Sequence, residues 1–189
     1  NYGESWTDWT YPIDAKAWTL PLGDGLKRVY YQVQDRAGWT STDYDDIILD
    51  TTPPVTTISH SPGSSIVTLS ATDATSGVLA TYYKIDDGAW STYTGPITLN
   101  GTGSHTIGYY SKDRAGNAGS RPRSTFHYLT VNTDPPGLDA PTEEGWYDEG
   151  YNATVSVSAV TGYIFEYWYL DGASGTAYSY DLTTKVEMD

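Results

Sequence analysis

One stretch of this chain occurs twice, and the repeat limits what the chain can fold into. Residues 29–38 read Val-Tyr-Tyr-Gln-Val-Gln-Asp-Arg-Ala-Gly and residues 107–116 read Ile-Gly-Tyr-Tyr-Ser-Lys-Asp-Arg-Ala-Gly, which sets Asp35 and Asp113 78 residues apart. A Gly-x-Gly turn precedes each copy: Gly23-Asp24-Gly25, then Gly101-Thr102-Gly103. A strand-like run and a linker follow each: Asp50-Thr51-Thr52-Pro53-Pro54, then Asp134-Pro135-Pro136. Turn, strand, tight turn, strand and Pro-Pro stop make a β-module, and the spacing is that of one sandwich domain.

Aligning the copies sets Trp6 on Trp90, Trp18-Thr19-Leu20 on Ile97-Thr98-Leu99, and Asp50 on Asp134. The match covers only the back half of the second copy. Residues 1–52 are therefore expected to be a partial module that lacks its opening strands and exposes a sheet edge and an open core. Residues 53–134 hold the complete copy. Its expected strands are Val55–Ile58, Ile66–Ala71, Val78–Ile85, Trp90–Tyr93, Ile97–Leu99, His105–Ser111 and Ser124–Val131, with Asp86-Asp87-Gly88 as a hairpin turn. Residues 135–189 change character. Ala153–Ser158 alternates with period two, Gly162–Trp168 reads as a second strand, and the segment is expected to be a small third β-module.

Composition supports an all-β reading. No window repeats apolar residues at helical spacing, while 19 Gly and 10 Pro punctuate the chain. The 18 Tyr and seven Trp replace aliphatic bulk in a sequence with two Phe, and such residues suit short strands with one wet face. A net charge of −14 with scattered basic residues argues against nucleic acid or an anionic membrane as partner. Without cysteine there is no disulfide, thiolate metal site or Cys nucleophile. No stretch is long and apolar enough for a membrane helix. The chain begins at Asn1 without a signal peptide and ends just after a strand-like Lys185–Met188, ends expected of a piece of a longer polypeptide.

The complete copy carries Ala71-Thr-Asp-Ala-Thr-Ser-Gly-Val78, Tyr83-Lys-Ile-Asp-Asp-Gly-Ala-Trp90, Tyr93-Thr-Gly-Pro96 and Asp113-Arg-Ala-Gly-Asn117. With these motifs it resembles the bacterial and archaeal immunoglobulin-like repeats found in tandem in large cell-surface and secreted proteins. The partial copy resembles the same group through Lys16–Leu20, Gly23–Gly25 and Ile48–Pro54, although Trp39 stands where Asn is usual. The tail, with Gly145-Trp-Tyr-Asp-Glu-Gly150 and Gly162–Trp168, resembles small repeats at the ends of archaeal surface proteins and of bacterial internalin-type adhesins. The resemblance implies tandem immunoglobulin- or fibronectin-III-like β-sandwich modules, a small C-terminal β-module and an extracellular setting.

Candidate sites are few. The histidines, His60, His105 and His127, lie on different expected strands without metal-ligand spacing, so no zinc site is assigned. No Gly-x-Ser-x-Gly elbow is present, and no catalytic residue is expected. Calcium is the cofactor to consider, because it takes six to eight hard oxygen ligands. Its candidate ligands are the linker residues Asp50 and Asp134, the turn residues Asp73, Asp86 and Asp87, and Asp113 with its repeat mate Asp35. The competing reading is that Asp at turn starts caps backbone amides. Trp90, Tyr93, Trp146, Trp168 and Tyr169 are candidates for stacking on sugars, against a structural role in packing. Asn100 and Asn152 begin glycosylation acceptor patterns.

The function expected is a non-catalytic structural or adhesive segment of a cell-surface protein: stalk, surface layer, filament or adhesin shaft. Its partners would be neighbouring modules or copies of itself. Two alternatives stand beside it: an accessory carbohydrate- or cell-wall-binding module of a secreted hydrolase, and a fibre subunit whose partial module is completed by a neighbour's strand.

Overall fold

The computed structural model describes residues 10, 17–133, 136, 138, 143–158, 160–168 and 183–188. Trp6, Trp9, Asp134 and Tyr169 lie outside them. Among the described residues the fold is all-β, with no helix and only antiparallel sheets. The strands are β1 (Gly25–Gln34), β2 (Thr40–Leu49), β3 (Val55–His60), β4 (Ile66–Thr72), β5 (Val78–Ile85), β6 (Ser91–Thr92), β7 (Ile97–Thr98), β8 (Ser104–Asp113), β9 (Arg123–Leu129), β10 (Gly145–Asp148), β11 (Asn152–Ser156) and β12 (Thr183–Glu187). Ala17–Leu20 and Gly162–Trp168, both strand-like in sequence, form no strand, although Trp168 makes a single bridge. Ile164 is 96 % exposed.

The complete copy, joined by β10 from beyond it, builds two sheets. One has the order β3-β4-β7 and the other β10-β9-β8-β5-β6. The chain crosses between them at Asp73–Gly77, at Tyr93–Pro96 and at Asn100–Gly103, where Gly77, Gly101 and Gly103 take positive φ. The Asp86-Asp87-Gly88 turn stays within the larger sheet: Asp86 adopts φ 52°, and the Gly88 amide donates to the Ile85 carbonyl. Val67, Leu69, Ile97 and Leu99 from the smaller sheet meet Ile107, Tyr109, Phe126 and Trp146 from the larger one in a single core. Full burial of one such side chain contributes about 1.5–3 kcal/mol, so this core carries most of the stability.

Strand β10 pairs with β9, Trp146 opposite Tyr128 and Tyr147 opposite His127. Alternation sends its neighbours to opposite sides. Trp146 enters the central core, while Tyr147 packs with Ala153, Met188 and Leu129 in a second core. Burial pushes the Tyr147 phenol up to about 12, and Glu143 beside it adds to the shift. One four-residue strand thus ties the β11–β12 sheet to the central module.

The first copy is different. β1 and β2 form a long two-stranded sheet with full register from Gly25 opposite Leu49 to Gln34 opposite Thr40, and no residue in either strand is buried. Cross-strand pairs hold it: the Arg28 guanidinium donates to both Asp46 oxygens at 2.7 and 2.9 Å and lies 3.9 Å over the Tyr44 ring. Such exposed pairs contribute only about 0.2–1 kcal/mol each.

Candidate functional site

The repeated turn folds the same way in both copies. The Asp35 amide donates to the Trp39 carbonyl and the Asp113 amide to the Asn117 carbonyl. The Asp35 carboxylate accepts from the Ala37 and Trp39 amides, the Asp113 carboxylate from the Asn117 amide. The copies part at the fifth residue. The Asn117 side-chain amide donates to Asp113 Oδ2 at 2.9 Å and also faces the Asp50 carbonyl at 3.0 Å, 67 residues back in the linker. Trp39, in the matching place, has no side-chain amide and is 78 % exposed.

The linker between the copies is held from both sides. On the hairpin side, Asp24 accepts from the Thr51 amide, the Thr51 hydroxyl and the Thr52 hydroxyl. These bonds, the Thr52 hydroxyl foremost, hold the Asp24 carboxyl below its ordinary value. On the other side, Asp50 Oδ2 accepts from the Ser76 amide at 3.1 Å, and Asp50 Oδ1 from the Thr52 amide. Pro54 is buried, and its carbonyl lies so close to Gly119 that a Cβ there would clash with it.

Three of the expected ligands converge at this junction. One carboxylate oxygen from each of Asp50, Asp73 and Asp113 lies within 4.8 Å of the others. Asp73 is positioned by its own turn, accepting from the Thr75 and Gly77 amides. Asp113 is fully buried. Burial pushes its carboxyl up, and the Asn117 side chain with the Asn117, Gly116 and Ala115 amides outweighs that, leaving it below the ordinary value. The Oγ of Ser76 is buried here without a partner among the described residues. Three carboxylates and a hydroxyl fit the chemistry of a hard cation but fall short of the six to eight oxygens calcium takes. They equally fit amide capping at turn starts. Asn117, Asp24 and Ser76 are not among the residues singled out in the sequence; the Asp-x-x-x-Asn spacing of the repeated turn was the available signal for the first.

The other expected ligands lie elsewhere. Asp86 binds β8, accepting from the Thr106 amide at 2.8 Å and meeting His105 Nδ1 at 2.8 Å. Asp87 is exposed in its turn, and Asp35 caps its own loop. Among the described residues the aromatics assemble no platform. Trp146 is 2 % exposed, a correction to its place among the stacking candidates, because its faces are taken by Tyr128 and His105. Tyr93 packs against the central core, and its hydroxyl oxygen accepts from the Leu69 amide. Trp90 is 39 % exposed and meets Tyr110 edge to face, with the Arg121 guanidinium over the Tyr110 ring. Trp168 lies beside Phe165. Asn100 and Asn152 are both exposed. No family model, curated protein or solved structure matches the chain.

Proposed function

We propose that this chain is a non-catalytic structural segment of an extracellular surface protein, built of immunoglobulin-like sandwich modules joined so that they do not swing freely. The observation that carries this reading is the linker between the copies. Five residues, Asp50 to Pro54, are bound by Asp24 on one side and by Ser76, Asn117 and the Gly119 turn on the other. A tether meant to flex would leave its backbone groups to water. Two features support the absence of catalysis: Asp113 is fully buried, out of a substrate's reach, and His60 and His105 are engaged by Asp148 and Asp86.

Small-angle scattering of the full chain and of Asn117→Ala tests the reading. A narrow distribution of dimensions that broadens in the variant supports it; equal, broad distributions for both contradict it. Repeating the melt in millimolar calcium and in EDTA decides the ion's part. A calcium-dependent rise in Tm that Asp73→Asn removes assigns the three carboxylates to the cation, and no change leaves them as amide caps.

A further inference from the structure

The hairpin's two faces are finished differently. In an antiparallel pair, directly opposed residues share a face. One face carries the Arg28–Asp46 ion pair, the Tyr30–Tyr44 ring contact, the Gln32–Thr42 hydrogen bond and, at its end, the exposed Leu26–Ile48 pair. The other carries Val29, Tyr31 and Val33 from β1 with Ile47 and Leu49 from β2, beside Lys27, Asp43 and Asp45. Tyr31, Val33 and Ile47 are 53, 57 and 52 % exposed.

The second copy shows what such a face is for. The repeat offset sets Val29 on Ile107, Tyr31 on Tyr109 and Val33 on Ser111. Strand pairing then sets Ile47 on Phe126, since Ile47 faces Lys27 and Phe126 faces His105. In the second copy these positions are closed: Ile107, Ser111 and Phe126 are fully buried. Val67, Leu69, Ile97 and Leu99 of the smaller sheet cover them, and β5 occupies the edge of β8 away from β9. Around the hairpin, neither the covering sheet nor the flanking strand is present among the described residues.

We propose that the Val29, Tyr31 and Ile47 face of the β1–β2 hairpin is a docking surface for the front half of a like module: a β3-β4-type sheet with Val, Ile and Leu on its inner face, plus a β5-type strand added along β1. A second copy of the hairpin fits less well. The face also holds Asp43 and Asp45, opposite Tyr31 and Val29, so two hairpins face to face would bring four carboxylates together between chains of net charge −14. Nor can an intact copy of this chain lend its own front half without opening a fully packed core. The occupant is therefore a front half not already engaged, and it leaves the hairpin with no free β1 edge. This rests on the modular reading for the occupant's identity only, not on the linker.

The test tethers a second copy of residues 53–95 ahead of Asn1 of the full chain through a long Gly-Ser linker and reads amide hydrogen exchange strand by strand. Exchange in β1 and β2 is expected to slow at least about tenfold relative to the untethered chain. Val33→Asp or Ile47→Asp should each erase the slowing; both positions are more than half exposed in the chain alone, so neither change disturbs its own fold. Unchanged β1 and β2 exchange in the tethered chain overturns the proposal. So does slowing in the untethered chain that grows with concentration and follows a dimer in sedimentation, because then the hairpin's occupant is another hairpin. Failure here leaves the linker reading untouched, since that is read at Thr51 and Thr52 rather than in β1 and β2.

Discussion

Asn117 is the residue on which the linker's geometry turns. One side-chain amide meets both Asp113 Oδ2 and the Asp50 carbonyl, so removing it leaves a buried carboxylate and a linker carbonyl short of a donor. Asn117→Ala is expected to cost about 1–3 kcal/mol, read from chemical denaturation. Trp39 marks the matching place in the other copy, and the sequence already showed it as the departure from the motif; what the departure removes is a contact with a linker, which no local pattern displays. Trp146 and Trp90 differ in the same way. Both were visible as aromatics beside turns, and only the pairing of β10 with β9 decides that Trp146 faces inward. Trp146→Ala should destabilise by about 3–5 kcal/mol, while Trp90→Ala, at a half-exposed position, should cost well under half of that. Equal losses would contradict the assignment of Trp146 to the core.

Among the elements, the strands of the complete copy were legible because alternation, Gly turns and an internal second example agree: β5 spans Val78–Ile85 as its pattern predicts. What was hidden is partnership. β10 lies beyond the second linker, yet it joins the central sheet, and it does so where Gly145 passes against Gly63. The Gly63 amide donates to the Trp146 carbonyl, and a Cβ on Gly145 would overlap the Gly63 backbone. Gly145→Ala is expected to cost about 1–3 kcal/mol and to raise exchange in β10 and in the β11–β12 sheet together. The turn between β5 and β6 has its own pH signature. The His105 imidazole is raised above 6.5 by the Asn100 carbonyl first and by Asp86, and Asp86 is lowered below 3.8, mainly by the Thr106 amide. The raised histidine stabilises below its unfolded value and loses that contribution as pH rises through its folded one. The lowered aspartate stabilises above its unfolded value and loses it as pH falls through its folded one. The tie is therefore strongest between about pH 4 and 6.5. His105→Gln should lower Tm most in that window and least above about pH 8, with an effect under about 1 kcal/mol because both groups are partly exposed.

Over the whole molecule, stability and apolar exposure are unevenly divided. The central module has the core, the C-terminal sheet shares β10 with it, and the hairpin has neither. The repeat could not foretell that the linker is bound at both ends, because those contacts join residues 26 to 67 positions apart. Asp24 and Asp113 both have lowered carboxyls, so the linker's bonds are complete above about pH 4 and are lost as acid protonates the two groups. The proposed role as a rigid structural segment depends on that linker more than on any other feature. The most direct measurement is 15N relaxation of the Thr51 and Thr52 amides at neutral pH. Order parameters near 0.85, matching the strands of the central module, are the predicted result; values below about 0.6 would show a free tether and contradict the account.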